Sequence, residues 1–163
     1  MPPAALVEPN SVDTSKVLFD VEAIRQYNPQ RFEMEQLNAI VHLDTEEKLI
    51  IGYKDVRDDE FWVRGHMPQH PLFPGVLMCE AAAQLCSFYC DYIKLVPGSF
   101  LGFGGMEEVR FRGPVRPGER LIVVGKGIRV HRRQSIFETQ EFVNGNMVYH
   151  GRVIGVPLSD LER

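Results

Sequence analysis

His66 and Glu80 are the two residues of this 163-residue chain whose types and setting best fit chemistry. They lie in GHMPQHPLFPGVLMCEAAAQ, residues 65–84. Pro68, Pro71 and Pro74 stiffen the loop that follows His66, and a fixed imidazole titrating near neutrality is the usual tool for proton abstraction. Gly75 then opens an apolar segment that carries one early acid, Glu80, set about 7.5 Å along if the segment is helical. Burial there is expected to raise the carboxyl's pKa and keep it protonated, ready to donate. Gly75 would place free amides and the positive end of a helix dipole where an oxyanion develops, and its missing side chain admits a ligand to the backbone. The same residues also fit a loop histidine with no catalytic role and a glutamate paired with a cation such as Arg64. A metal site built from His66, His70 and Glu80 is disfavoured, because Pro68 and Pro71 prevent a helix from aligning the two imidazoles. Nucleophile-elbow, Walker, Rossmann and HExxH patterns are absent,. From the residues alone this is a candidate acid–base site and no more.

The elements that must position the pair follow from the rest of the chain. Residues 20–27 (DVEAIRQY) read as a short helix closed by Asn28-Pro29,. Residues 38–43 and 48–56 read as two strands joined at Asp44–Glu47,. The run from Gly75 to about Lys94 is too long and too apolar for a strand, and Ala81, Ala82 and Ala83 favour a helix buried on nearly all sides, ended by Val96-Pro97-Gly98,. Strands are expected at 100–115, 119–131, 135–143 and 147–156, with a bulge near Gly102, Gly104 and Gly105 and a hairpin at Asn144-Gly145,. One helix lying along a curved antiparallel sheet is an α+β arrangement. A partner chain would protect the remaining sheet edge.

Length and composition fit one ordinary globular domain, with 44% hydrophobic and 25% charged residues,. Residues 1–15 show little pattern and are expected to form a flexible tail, leaving 16–163 as the domain,. The net charge of −4 hides an asymmetry: residues 1–60 hold 6 basic and 13 acidic side chains, whereas residues 109–133 hold 8 basic and 1 acidic. That basic stretch either steers an acidic partner or is the solvated face of a strand. Cys79, Cys86 and Cys90 sit together in the apolar run, where helix geometry suits buried thiols better than disulfides or a metal set. MPPAALVEPN lacks the pattern of a signal peptide, and Glu80, Gln84, Asp91 and Lys94 interrupt the apolar run, so neither secretion nor membrane insertion is expected and a cytoplasmic location is.

The 65–84 stretch resembles the signature of the 3-hydroxyacyl-acyl-carrier-protein dehydratases of the FabZ type: Gly-His-Phe-Pro, then Pro-x-x-Pro-Gly-Val-Leu, then Glu-Ala-x-Ala-Gln. DVEAIRQYNPQRF (20–32) and VRFRGPVRPG (109–118) are similar to further family segments, so the resemblance spans most of the chain. It implies the hotdog fold, a curved antiparallel sheet around one long helix. It also implies reversible dehydration of a (3R)-3-hydroxyacyl thioester to the trans-2-enoyl thioester, in fatty-acid or related lipid biosynthesis such as that of lipid A, with no metal or organic cofactor beyond the phosphopantetheine that carries the substrate. By the resemblance His66 is the base, Glu80 the acid and Gly75, assisted by Val76, the oxyanion donor. Phe73, Leu77 and Phe103 are expected near the acyl tunnel, and Arg110, Arg112, Arg116, Arg132 and Arg133 are candidates to receive an acidic acyl carrier protein. The family assembles each site across a homodimer, His of one chain facing Glu of the other, and often builds trimers of dimers. No nucleic-acid partner is implied.

Departures sit at the front. The family's Phe after the motif His is Met67, and its His-Arg-Tyr-Pro-Phe is replaced by Gln30-Arg31-Phe32-Glu33-Met34, with further change around Gln36–Asn38. Three other readings stand beside dehydration: an acyl thioesterase, a hydratase of coenzyme A esters, and a non-catalytic carrier-binding relative. Retention of both His66 and Glu80 argues against the last.

Overall fold

The apolar run after Gly75 forms helix α2 (Gly75–Tyr92), whose Leu77, Met78, Ala81, Ala82, Leu85, Cys86, Phe88, Tyr89 and Cys90 are all buried. Full burial of a side chain such as Leu85 or Phe88 contributes about 1.5–3 kcal/mol. The helix ends at Tyr92, before Val96-Pro97-Gly98. Lys94 adopts a left-handed backbone with φ 55°, its amide bonds the Asp91 carbonyl, and the Leu95 amide bonds that of Cys90 at 2.9 Å, which together terminate the last turn.

A computed structural model describes residues 1–162, so the last residue of the expected domain, 163, lies outside them. The remaining elements are β1 (Phe19–Asp20), α1 (Val21–Ile24), β2 (Ala39–Asp44), β3 (Leu49–Asp55), β4 (Ser99–Phe111), β5 (Arg120–His131), β6 (Gln134–Val143) and β7 (Asn146–Glu162). They form one sheet in the order β1-β2-β3-β5-β6-β7-β4, antiparallel at every neighbouring pair. The α+β architecture is the expected one. Strand β7 runs six residues past the expected end because β4, 13 residues long, pairs with it from Ser99↔Glu162 to Phe111↔Tyr149. The register slips between Phe103 and Gly105, at the expected bulge, and again between Glu107 and Arg110, which bends the strand. Helix α1 is shorter than its pattern, four residues capped by the Asp20 carboxylate on the Ala23 amide.

The sheet wraps α2 so that Gly75 lies over Phe111 and Tyr89 over Phe137, with ring centroids 5.6 Å apart. Leu6, Val7 and Val12, in the segment expected to be a tail, pack instead on the outer sheet cluster of Ala39, Val41, Ile51, Tyr53, Val124 and Phe142. The Gln140 side-chain amide fixes them, accepting from the Leu6 amide at 2.8 Å and donating to the Ala4 carbonyl at 2.9 Å. Pattern reading missed this strap because its anchor lies more than a hundred residues away.

Candidate active site

The loop before α2 is closed by its own backbone. The His66 amide donates to the Trp62 carbonyl at 2.8 Å, Leu72 donates to His66, and the Phe73 amide bonds the Val115 carbonyl across the fold. The loop's base is a buried Lys54–Glu60 ion pair at 2.7 Å, and Trp62 meets Phe73 edge-on with centroids 5.5 Å apart. The His66 Nδ1 lies 2.7 Å from the Leu72 carbonyl oxygen. A carbonyl only accepts, so Nδ1 is the donor, and in the neutral imidazole this tautomer puts the lone pair on Nε2, where a general base needs it.

Helix α2 begins at Pro74, whose carbonyl accepts from the Leu77 and Met78 amides at 2.9 and 3.2 Å. Among the described residues the amides of Gly75 and Val76 have no acceptor, which leaves two adjacent donors at the positive end of the helix. A Cβ at Gly75 would lie 2.9 Å from the Phe111 ring. Any larger residue would push the ring away from these donors.

Glu80 stands one turn further on, half-buried. Its Oε1 accepts from Gln84 Nε2 at 2.9 Å. Gln84 is itself pinned: Nε2 also donates to the Met34 carbonyl at 2.6 Å, Oε1 accepts from the Gln36 amide at 2.9 Å, and its backbone carbonyl accepts from Asn28 Nδ2 at 3.0 Å. The anchors fall in the segment where the chain departs from the FabZ-type pattern. Gln84 was legible as the residue one turn after Glu80, but Met34 and Gln36 contribute through backbone that sequence does not announce. The Arg64–Glu80 pairing considered from sequence does not form, and no ion pair involves Glu80 among the described residues.

Glu80 lies in the wall of a largely apolar cavity of about 330 Å³ between α2 and strands β4, β6 and β7. Phe103 lines it, whereas Phe73 and Leu77, expected beside it, are core residues with 3% and 8% exposure. Phe73 is spent on Trp62 and Lys54, and Leu77 packs in the main core. His66 is absent from this wall. Within one chain it shares neither a hydrogen bond nor an ion pair with Glu80 among the described residues.

The five arginines form two groups. Arg110 pairs across β4–β7 with His150, Arg112 contacts His150 Nε2 at 2.9 Å, and exposed Arg116 follows in the next turn. Arg132 and Arg133 stand exposed in the β5–β6 turn, about 20 Å away along β6 and beside Ser135 of the cavity wall. The three thiols are free, and burial pushes Cys79 up to about 11 and Cys90 up to about 12. No group of three or more His, Cys, Asp or Glu is placed to hold a metal among the described residues. No helix there is long and apolar enough to cross a membrane.

Residues 28–152 match the model of the FabA-like domain. Among solved structures the chain is similar to the dehydratase heterocomplex ApeI:P from Xenorhabdus doucetiae, with TM-score 0.73 and 16% identity over 85% of this chain and 93% of that one. It is also similar to a hypothetical thioesterase with coenzyme A from Streptococcus pneumoniae TIGR4, with TM-score 0.59 and 11% identity over 84% and 95%. A third similar structure is Cj0977, a sigma28-regulated virulence protein from Campylobacter jejuni, with TM-score 0.64 and 12% identity over 86% and 92%. At such identities these likenesses establish the fold, the long helix against a seven-stranded antiparallel sheet that is the hotdog. With its family match spanning most of the sequence, the chain belongs to the FabA-like domain family.

Proposed function

We propose that this chain is a dehydratase of (3R)-3-hydroxyacyl thioesters. The observation that carries the reading is Glu80, held by Gln84 through one carboxyl oxygen, the other having no hydrogen bond among the described residues, in the wall of a largely apolar cavity. His66 Nε2 takes the proton alpha to the thioester carbonyl. The electron pair moves toward the carbonyl oxygen, which the Gly75 amide, with Val76 beside it, stabilises by hydrogen bonding. The pair then returns to form the C2–C3 double bond as the C3–O bond breaks, and Glu80 gives its proton to the departing hydroxyl, which leaves as water. The proton on His66 returns to Glu80 through solvent, closing the cycle. Acid and base each contribute about 10²–10⁴ in rate.

Among the described residues His66 and Glu80 share no hydrogen bond or ion pair within one chain, and His66 does not line the cavity beside Glu80, so the reading takes the pair from two chains. Strand β4 is one of the two end strands of the sheet order, β1 being the other. Val76, Met67, Phe103 and Phe111 are exposed large apolar residues, at 73%, 46%, 49% and 52%, on the loop, the helix start and strand β4. A second copy paired along β4 covers them and brings His66 of one chain to Glu80 of the other. The dehydratase it resembles is a heterocomplex, and an unlike second chain is the competing way to complete the site.

An acidic carrier protein delivering the thioester on phosphopantetheine fits Arg132 and Arg133 better than Arg110, Arg112 and Arg116, because the first group adjoins the cavity wall. Reversing the charges of Arg132 and Arg133 should weaken carrier-bound turnover and spare the coenzyme A thioester. Equal loss on both substrates contradicts carrier docking there.

A second reading, an acyl thioesterase, has the likeness to the hypothetical thioesterase behind it, with Glu80 activating water against the thioester carbonyl. One assay separates the two. The protein is given a 3-hydroxyacyl or 2-enoyl thioester while enoyl absorbance and free thiol are followed together. Interconversion without thiol release supports the dehydratase, and thiol release supports the thioesterase.

A further inference from the structure

We infer that the cavity beside Glu80 is dimensioned for acyl groups of medium length, about ten to twelve carbons, and that Ser87 and Ala83 set that limit. The inference rests on the dehydratase reading only for placing the reacting carbons at Glu80.

On its helix side the cavity is lined by Glu80, Ala83 and Ser87, with Gln84 and Cys86 between. Glu80, Ala83 and Ser87 are spaced by three and four and so share one face of α2. Two small side chains following the acid leave a groove along the helix. From Glu80 to Ser87 the helix rises about 10 Å. A fully extended chain advances about 1.2 Å per bond, so the groove holds about eight carbons beyond the reacting pair.

The walls are mostly hydrocarbon, with the buried Gln30 Oε1 as a polar atom that has no hydrogen-bond partner among the described residues. Across from the helix stand Phe103, Phe137, Val153 and Leu158. Leu158 folds over Gly102, where a Cβ would lie 2.6 Å from its Cγ, so the sheet side is already filled by side chain. The Gln84 amide is used up on Glu80, Met34 and Gln36, and the Ser135 hydroxyl is directed to the His131 carbonyl at 3.3 Å. Among the described residues no charged side chain beyond Glu80 lines the cavity.

The test is calorimetric titration with saturated acyl-coenzyme A thioesters of about four to sixteen carbons, for which each methylene that enters the groove should tighten binding about fourfold. Affinity is expected to rise to about ten to twelve carbons and then level. Ser87→Phe should move the levelling point down by about two to four carbons and leave the shortest thioester unchanged. Ser87→Ala should keep the wild-type profile, and Ser87→Leu, a smaller intrusion, serves where Ser87→Phe lacks a native melting transition. A steady rise through the longest chain, no dependence on length, or an equal loss at every length in the Ser87 variants would overturn the inference. Because binding needs no turnover, a protein that shows the levelling but interconverts no substrate defeats the dehydratase reading alone. One that turns over all lengths alike defeats this inference alone.

Discussion

The His66 ring rests on main chain, whereas the Glu80 carboxylate rests on a side chain. His66 is exposed, on a loop whose carbonyls and amides close on one another, and its partner is the Leu72 carbonyl. Glu80 is half-buried on a helix, and its partner is an amide held in turn by residues 28–36. A backbone partner survives any change of its own side chain, while a side-chain partner is lost to one substitution. The proposed base is therefore robust and the proposed acid fragile, and the fragile half is tied to the part of the chain that departs from the FabZ-type pattern.

Removing either reacting group should have the largest effect. His66→Ala and Glu80→Gln are each expected to lower kcat by about 10²–10⁴ with the melting temperature almost unchanged, read from enoyl absorbance and thermal melts. Gln84→Leu comes next. It frees Glu80 and strips the Met34 carbonyl and the Gln36 amide of their partner, so unfolding in denaturant should show a loss of about 1–3 kcal/mol, with turnover reduced about tenfold by misplacement of the acid.

Glu141 sharpens the comparison from another side, as a buried acid that nothing holds. It is fully buried on β6, and neither carboxyl oxygen has a hydrogen-bond partner among the described residues. Burial holds its pKa well above the ordinary 4.5, with Cys79 and Tyr149 as titratable neighbours. The native state thus keeps a proton that the unfolded chain gives up above 4.5, and stability falls as pH rises from there toward the native value. Glu141→Gln should raise Tm, more at about pH 8 than at about pH 5. Equal shifts at both would contradict this. The smallest effect is expected from Leu72→Ala. The carbonyl that fixes His66 remains, so kcat should stay within about threefold, and a larger fall would show that the side chain, not the main chain, holds the base.

Much of this was legible in the residues. The alanine-rich apolar run announced α2, the turn signals announced the hairpins, and the proline loop marked the segment that carries His66. The rest depends on contacts distant in sequence. Strand β4 leaves the helix and pairs with the last strand instead of its neighbours, which no local pattern specifies, and that pairing also carries β7 to Glu162. The strap of residues 4–12 looked patternless because its anchor is Gln140. The clamp on the Gln84 side chain is the backbone of Met34 and Gln36, which no side-chain pattern announces. Likewise the basic run of 109–133 is continuous in sequence but folds into two groups, since it passes from β4 to β5, which lie in different parts of the sheet with β6 and β7 between them.

The central claim is that His66 and Glu80 form one acid–base pair contributed by two chains. The direct measurement mixes His66→Ala with Glu80→Gln protein under conditions of subunit exchange and follows enoyl thioester interconversion. Each variant alone should be inactive. In a statistical mixture half of the two-fold dimers are hybrid, each with one complete site, so activity should return to about a quarter of wild type. A mixture that exchanges subunits and stays inactive would contradict the account.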